Sequence, residues 1–520
     1  MEAPSKMDVS EVDVAIVGLG PVGAMTALSL AHAGLRVLVL ERSTQTTELP
    51  RAVGLDGESL RAFQRLGLSD AIFGLCQPPR EPNNIGFANS KLETLFSLDI
   101  PPFGPNGWCD IVFFDQPELE VELRAMVAKN DLIEVRLGEK VETIEQDANG
   151  VTARTTSRDG SVAAQYRAQY LIGCDGASSF VREAMNIEWK SLDYDQDWLV
   201  IDVTQGENAD LPMNTMQICD PERLATYICV KDPNRRWEFQ ILEGESHEEM
   251  KSPEKIHALL APWTASENYT LRRAAVYQFH AAVADRWRVG RVFLAGDAAH
   301  QTPPFLGQGL NAGFRDAVNL GWKIPLVLAN TCDDALLDSY ATERDPHARE
   351  LVDRAVSIGK LMETLAAREA GLPDPHPPES LNINVNGPMV PPIRGGLLIG
   401  EQCNEACRVG ELMNQPNVRT TDGEEHRFDA ALGDGFAIVG QQHSDLKLGA
   451  EAAAIVKRLA WQPVALEDFE VTKGHWDVLF QTHRAAIVRP DRYVYGVVDD
   501  RHSLDALIIE LGKTMAMPTP

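Results

Sequence analysis

Val12 to Gly23 reads VDVAIVGLGPVG, an apolar run closed by three glycines. Its first part, Val12 to Val17, is almost unbroken in apolar residues, the pattern of a parallel strand buried on both faces. Gly18, Gly20 and Gly23 follow at G-x-G-x-x-G spacing. Gly18 permits a tight turn, Gly20 leaves no side chain between backbone and a pyrophosphate, and Gly23 lets the next helix lie close to the strand. That helix, expected over Pro21 to Ala33, aims its first amides at the phosphates. A second strand, Leu35 to Leu40, ends in Glu41, an acid about 20 residues past the glycines that suits a ribose hydroxyl. Strand, turn, helix, strand and acid agree on a dinucleotide-binding unit, against the blander alternative that the glycines merely end a strand. The motif does not separate FAD from NAD.

Two later segments repeat the texture. Tyr170 to Gly173 is an apolar strand running into Cys174-Asp175-Gly176-Ala177-Ser178-Ser179-Phe180-Val181-Arg182. An acid and a glycine at a strand end, then small residues and a helix, make a turn whose backbone can approach a ligand closely. Asp-Gly turns are common, so alone this is a weak signal. Arg291 to Ala295 is another strand pattern, ending in Gly296-Asp297-Ala298-Ala299-His300. Asp297 is placed to accept hydrogen bonds from a polyol such as ribityl. Gly307-Gln308-Gly309-Leu310-Asn311 then opens a helix whose positive end suits an anionic ligand edge. A reduced flavin carries negative charge across N1 and the C2 oxygen, which such a helix start stabilises.

Composition narrows the classes. A chain of 520 residues has room for two or three domains, and 44% apolar with 24% charged residues is ordinary for a soluble globular protein. A formal charge of −28 argues against nucleic acid or an anionic membrane as partner. Eight cysteines are scattered without a C-x-x-C pair, so neither a metal site nor a dithiol centre is indicated, and Cys403 and Cys407 are read as an incidental pair. A reduced, cytoplasmic setting fits, with no apolar signal core and no run near the roughly 20 residues of a membrane span.

Texture divides the chain. Residues 1–187 look like α/β units, with helices expected at Gly57 to Leu66 and Gln116 to Ala128. Over 188–285 the runs WLVIDVTQ, NTMQICD, ATYICVKD, RRWEFQIL and AAVYQFHAAV, separated by turn residues, predict an inserted antiparallel sheet that forms a wall of a substrate pocket. Residues 286–372 return to the nucleotide texture, with helical stretches around Asn311 to Asn330 and Leu336 to Ala370. Seven prolines from Pro373 to Pro392 mark a linker over 373–398. Residues 399–520 read as strand, helix, strand pair and helix, a small third α/β domain.

Together these segments resemble the group A flavoprotein aromatic hydroxylases of the p-hydroxybenzoate and phenol hydroxylase type, most of all the 3-(3-hydroxyphenyl)propionate hydroxylase branch. The resemblance rests on GLGPVG, LPRAVGLD, DQPELEVELR, CDGASSFVR, LAGDAAHQTPPFLGQGLNAGFRDAVNLGWK and VRPDRYV, closely over about residues 10–345 and more loosely beyond. It implies a Rossmann-like FAD-binding domain, an inserted antiparallel-sheet substrate domain and a C-terminal thioredoxin-like domain without C-x-x-C, structural or used in oligomer contacts such as a homodimer. It implies Glu41, with Arg42 beside it, at the adenosine ribose, Arg51 and Arg124 on FAD phosphate or ribityl groups, and Asp297 on the ribityl. Asp175 serves both FAD and a visiting nicotinamide, and Gly296, Gly307, Gly309, Leu310 and Asn311 complete the cofactor set. The implied reaction is reduction of FAD by NADPH or NADH and formation with O2 of a flavin C4a-hydroperoxide, which hydroxylates a phenol ortho or para to its hydroxyl. The absence of a second G-x-G-x-x-G unit agrees with a nicotinamide that only visits.

Individual residues have competing readings. Thr302 to Leu306 would lie beside the flavin ring, where Pro304 fixes the backbone and keeps water away, although prolines also simply make turns. His300 is a catalytic candidate or a structural neighbour of the flavin. Arg124 could instead pair with Glu120 or Glu122. Asp56 and Gln308 are weaker pocket candidates, and Trp322 is expected to pack a helix core. Leu320 to Pro325, LGWKIP, fits a flavin halogenase signature except at its first tryptophan, and an idle FAD-binding scaffold is the other rival. For a phenolic acid, a cationic or hydrogen-bonding group from 188–285 is expected to face the substrate.

Overall fold

The computed structural model describes residues 10–46, 50–80, 84–157, 160–381, 389–399 and 408–515. Ser10–Val17 is a central strand of the first sheet. Val162–Gly173 and then Val292–Leu294 lie on one side of it, Val37–Glu41 and then Ile133–Leu137 on the other, all parallel. Val14, Ile16, Leu38 and Ile172 are fully buried, as the unbroken apolar run requires. Register brings the motifs together, because Val17 pairs with both Leu40 and Gly173, and Gly173 with Leu294. Gly18, Glu41, the Cys174-Asp175 turn and the Gly296-Asp297 turn therefore leave one edge of the sheet, the carboxyl edge at which open α/β sheets bind ligands. The helices fall close to their expected places, at Pro21–His32, Gly57–Arg65, Gln116–Ala128, Gly309–Leu328 and Asp338–Glu369.

All five runs expected over 188–285 are strands, namely Trp189–Gln205, Thr215–Ile218, Ala225–Cys229, Asn234–Gln240 and Tyr269–Ala284. Their sheet is larger and less uniform than expected. Asn84–Ala88 and Thr94–Asp99, from within 1–187, join it through a parallel pairing of Asn84–Ala88 with Thr215–Ile218. Side chains alternate along these strands. Leu199, Ile201, Trp237 and Phe239 fill a core with Met250, Ile256 and Leu260, while Arg236 and Glu238 face the cavity described below.

Residues 437–514 contain the expected strand, helix, strand pair and helix, with an additional strand, Gln462–Ala465, that was not expected. Gln462–Ala465, Ala437–Gly440, Ala485–Val488 and Val494–Val497 form a four-stranded sheet whose first pair is parallel and whose others are antiparallel. Helices Ala450–Arg458 and Leu504–Thr514 pack with it. A separate three-stranded sheet, Asn417–Thr420, Glu425–Arg427 and Phe469–Lys473, was not anticipated. Trp322 packs edge-on to Phe436 at 5.5 Å, so the long helix Gly309–Leu328 shares its core with this region. Cys403 and Cys407 lie outside the described residues. Among those residues, no helix is long and apolar enough to cross a membrane.

Candidate cofactor and substrate site

A cavity of ≈ 630 Å³ opens at the carboxyl edge of the first sheet, within the range of about 300–1,000 Å³ usual for small-molecule sites. From the first motif, Gly18, Gly20, Glu41 and Arg42 line it. Arg51, Arg124 and Asp175 join from the middle of the chain, and Asp297, Pro304, Gly307, Gly309 and Leu310 from the third segment.

The backbone geometry accounts for glycine at Gly18 and Gly23. Gly18 has φ +101°, and a Cβ there would stand 2.5 Å from the Cys174 carbonyl oxygen. At Gly23 a Cβ would stand 2.0 Å from the Gly18 carbonyl oxygen, so the helix can approach the turn only without a side chain. A Cβ at Gly20 meets nothing within 4 Å, which leaves its backbone open to the cavity. The helices Pro21–His32 and Gly309–Leu328 both begin at the cavity with no side-chain cap, at Gly20 and Gln308. Their first amides are thus unsatisfied donors carrying partial positive charge.

The polar side chains divide into held and free. Glu41 accepts hydrogen bonds from the backbone amides of Leu19 and Ser43, both at 2.7 Å, which orients the carboxylate and leaves lone pairs for a further donor. Asp175 accepts from Ser179 Oγ at 2.5 Å and from the Val181 amide at 3.1 Å, so it also builds the turn that presents it. Asp297 is open to the cavity and has no protein hydrogen bond among the described residues. Withdrawal from bulk water raises its carboxyl above the usual range, and His300 and Arg51 hold it down. Arg124 pairs with neither expected acid, since Glu120 accepts from Gln116 at 2.7 Å and Arg124 Nε is buried without a partner.

Uncapped helix starts, arginines and free carboxylate oxygens around one cavity form a donor and acceptor set that fits FAD. A model of the FAD binding domain family matches residues 11–355, and one of the HcaD C-terminal domain matches 410–512. A 3-(3-hydroxy-phenyl)propionate/3-hydroxycinnamic acid hydroxylase of Mycolicibacterium smegmatis is 36% identical over 93% of this chain and 90% of its own. A probable NADH-specific resorcinol 4-hydroxylase of Rhodococcus jostii is 32% identical over 98% of this chain and 96% of its own. The chain belongs to the FAD-dependent aromatic hydroxylases. It is also similar to the crystal structure of aklavinone-11 hydroxylase with FAD and aklavinone, at TM-score 0.79 and 25% identity, covering 98% of this chain and 99% of that one. As in that family, the cofactors are FAD and NAD(P)H.

Within this hydroxylase some expected site residues act from behind the cavity wall. His300 does not line it. The imidazole is buried, stacks on Trp287 at 5.4 Å and bonds through Nε2 to Asp316 Oδ2 at 2.8 Å, and the same oxygen accepts the Gly296 amide at 2.9 Å. His300 thereby positions the turn that carries Asp297. Replacing it with Phe is expected to cost about 1–3 kcal/mol of stability, because the buried Asp316 carboxylate loses one of its donors. The pH profile of kcat/KM should keep its shape, and disappearance of an ionisation from it would return His300 to the chemistry.

Asn311 is likewise committed to the protein. Its Oδ1 accepts from the Asp56 amide and Ser59 Oγ at 3.1 and 2.7 Å, and its Nδ2 donates to the carbonyls of Gly54 and Gly307 at 3.2 and 2.8 Å. Asp56 caps the helix Gly57–Arg65 and pairs with Arg315, while Gln308 accepts from Arg315 at 3.0 Å. In LGWKIP, Trp322 and Lys323 are buried and Lys323 is paired with Glu343 at 2.8 Å, away from the cavity.

Residues not singled out in the sequence hold the loop that carries Arg51. Gln116 Oε1 accepts the amides of Arg51 and Ala52 at 3.1 and 2.6 Å. From the other side, Arg236 donates to the carbonyls of Pro50 and Arg51 at 2.5 and 2.6 Å and is braced by Asp202 at 2.8 Å. The signal that could have found Arg236 and Glu238 is their i, i+2 spacing in RRWEFQIL, where they alternate with the apolar Trp237 and Phe239. Two charges there face one side of a half-buried strand.

Proposed function

We propose that this protein is a single-component monooxygenase that hydroxylates a phenol ortho or para to its hydroxyl, with NAD(P)H and O2 as co-substrates. The observation that carries the reading is the meeting of three glycine-bearing strand ends with one polar face of the second sheet around a single cavity. FAD, when bound, takes two electrons from NAD(P)H and delivers one atom of O2 to the ring. Glu41 would orient the adenosine end, the uncapped helix starts and Arg124 would meet the phosphates, and Asp297 would hold the ribityl hydroxyls. Pro304 and Phe305 shield the reacting end from water, with Phe305 packed edge-on against Trp198 at 5.3 Å and Phe279 at 6.0 Å.

The domains follow this division of labour. We assign 1–187 and 286–372 to FAD, 188–285 with the strands Asn84–Ala88 and Thr94–Asp99 to substrate, 373–398 to a linker, and 399–520 to a thioredoxin-like unit with a structural or dimer-forming role. The sheet order and pair directions over 437–497, with a helix between the parallel strands and another at the end, support that last assignment. A panel of phenols that includes resorcinol and 3-(3-hydroxyphenyl)propionate tests the activity. At least one member is expected to speed NADH or NADPH oxidation and to yield a hydroxylated product in step with it. Oxidation that no phenol speeds would refute the reading.

A further inference from the structure

Glu238 is the carboxyl that the described network leaves without a job. It sits on the strand Asn234–Gln240 with its side chain 4% exposed, and what exposure it has is to the cavity that Pro304 and Asp297 also line. It makes no hydrogen bond among the described residues, and its close charged neighbour is Arg236 at 3.8 Å. Arg236 is spoken for by Asp202 and by the carbonyls of Pro50 and Arg51, so its position beside Glu238 is fixed. A buried carboxylate without hydrogen bonds is costly and persists where something else uses it.

We propose that Glu238 is the base that accepts the proton of the substrate's phenolic hydroxyl. The assignment rests on the hydroxylase reading and names the group that activates the ring. The phenol O–H bond breaks, the proton passes to a Glu238 Oε, and the electron pair stays on the phenolate oxygen, from which it reaches the ortho and para carbons. Oxygen transfer leaves the former phenolate oxygen as a ring carbonyl. The hydroxylated carbon then gives up its hydrogen as a proton, taken by the second oxygen atom of O2 as it leaves as water. The C–H electron pair restores the aromatic ring, and the carbonyl oxygen takes its proton back from Glu238. The carboxylate ends as it began.

Position decides between Glu238 and its rivals. Asp297, Glu41 and Asp175 belong to the sheet edge that carries the cofactor motifs, and the last two are already hydrogen-bonded to the backbone. Glu238 comes instead from the second sheet, beside Thr226 of the neighbouring strand, and lines the same cavity, so a ring held between that sheet and the cofactor edge would meet it. The charged groups around it are Arg236 on its own strand, Asp202 on Trp189–Gln205 and Arg273 on Tyr269–Ala284, with Arg51 lining the same cavity. Burial pushes its carboxyl up to about 7, with Arg236 and Arg273 opposing the rise and Asp202 adding to it. A base poised there matches the pH at which such a proton transfer is most effective.

The test compares wild type, Glu238→Gln and Glu238→Asp holoenzymes, first matched for FAD content. The probe is whichever panel phenol the wild type hydroxylates. For wild type, kcat/KM is expected to fall as pH drops through about 7, because the base is lost on protonation. Glu238→Gln is expected to lose about 100-fold or more at pH above 8 and to lose that acid limb, the lower range for removal of a general base. Glu238→Asp should keep the limb with part of the activity. Titration of Glu238→Gln with the phenol should still perturb the flavin absorption spectrum, which places the defect after binding. An unchanged acid limb in an active Glu238→Gln enzyme overturns the assignment while leaving the hydroxylase reading intact, and so does loss of FAD from both variants. A wild type inactive on every phenol removes the hydroxylase reading and this assignment with it.

Discussion

Gly23→Ala is expected to purify with little or no FAD. The added methyl would lie 2.0 Å from the Gly18 carbonyl oxygen, a backbone atom in a turn itself wedged against Cys174. Neither side can yield cheaply, because Gly18 pairs through its amide with the Leu40 carbonyl at 2.8 Å and Pro21–His32 is packed on the sheet. Relief comes from lifting the helix start, which spoils the amides we assign to the pyrophosphate. Overpacking of this kind costs about 1–3 kcal/mol, and each 1.4 kcal/mol is about tenfold in affinity. Flavin absorbance per protein, with a titration of the apoprotein, measures it. FAD bound as tightly as in wild type would mean that the turn does not cradle the cofactor.

The second large effect is on stability. Glu343 is fully buried and gathers Lys323 at 2.8 Å, Arg489 at 2.7 and 3.0 Å, Asn319 at 2.7 Å and the Leu397 amide at 2.9 Å. One carboxylate thereby joins the helices Gly309–Leu328 and Asp338–Glu369, the segment 389–399 and the loop before Val494–Val497. Glu343→Ala is expected to destabilise the protein by about 3–5 kcal/mol, since removing one partner leaves buried charge uncompensated. Arg489 keeps Asp491 at 2.6 Å, whereas Lys323 is already pushed down to about 8 by burial and by Arg489 and has no other acid so close. Denaturant unfolding at neutral pH measures the change, and a loss below about 1 kcal/mol would place the pair with weak surface bridges. Lys323 and Arg489 hold the Glu343 carboxyl down at about 2 despite its burial. Its contribution is therefore complete above the ordinary carboxylate range of about 4 and is lost as pH falls toward about 2.

Local patterns carried most of the first sheet. Strands buried on both faces have an apolar run as their signature, and the glycine spacing, the Asp-Gly turn and Gly296-Asp297 each follow such a run. What placed them at one cavity is the register of Val17 with Gly173 and of Gly173 with Leu294, which has no local mark. The pairing of Asn84–Ala88 with Thr215–Ile218 was invisible for the same reason, because it joins segments over a hundred residues apart. Residue type identified His300 and Asn311 as site residues, yet both reach the site only through protein partners, Asp316 for one and Gly54 and Gly307 for the other. A motif shows that a side chain is needed there and not which way it points. The i, i+2 spacing marks Glu238 only as sharing a face with Arg236; its meaning depends on facing the cavity without a hydrogen bond, a property of three packed strands.

The most direct test of the central claim follows the oxygen atom. Purified protein with FAD, NAD(P)H and a phenol from the panel, run under isotopically heavy O2, is expected to give a hydroxylated product carrying one heavy oxygen in the new hydroxyl. Product without the label, or consumption of NAD(P)H that ends only in hydrogen peroxide with every phenol, would contradict it.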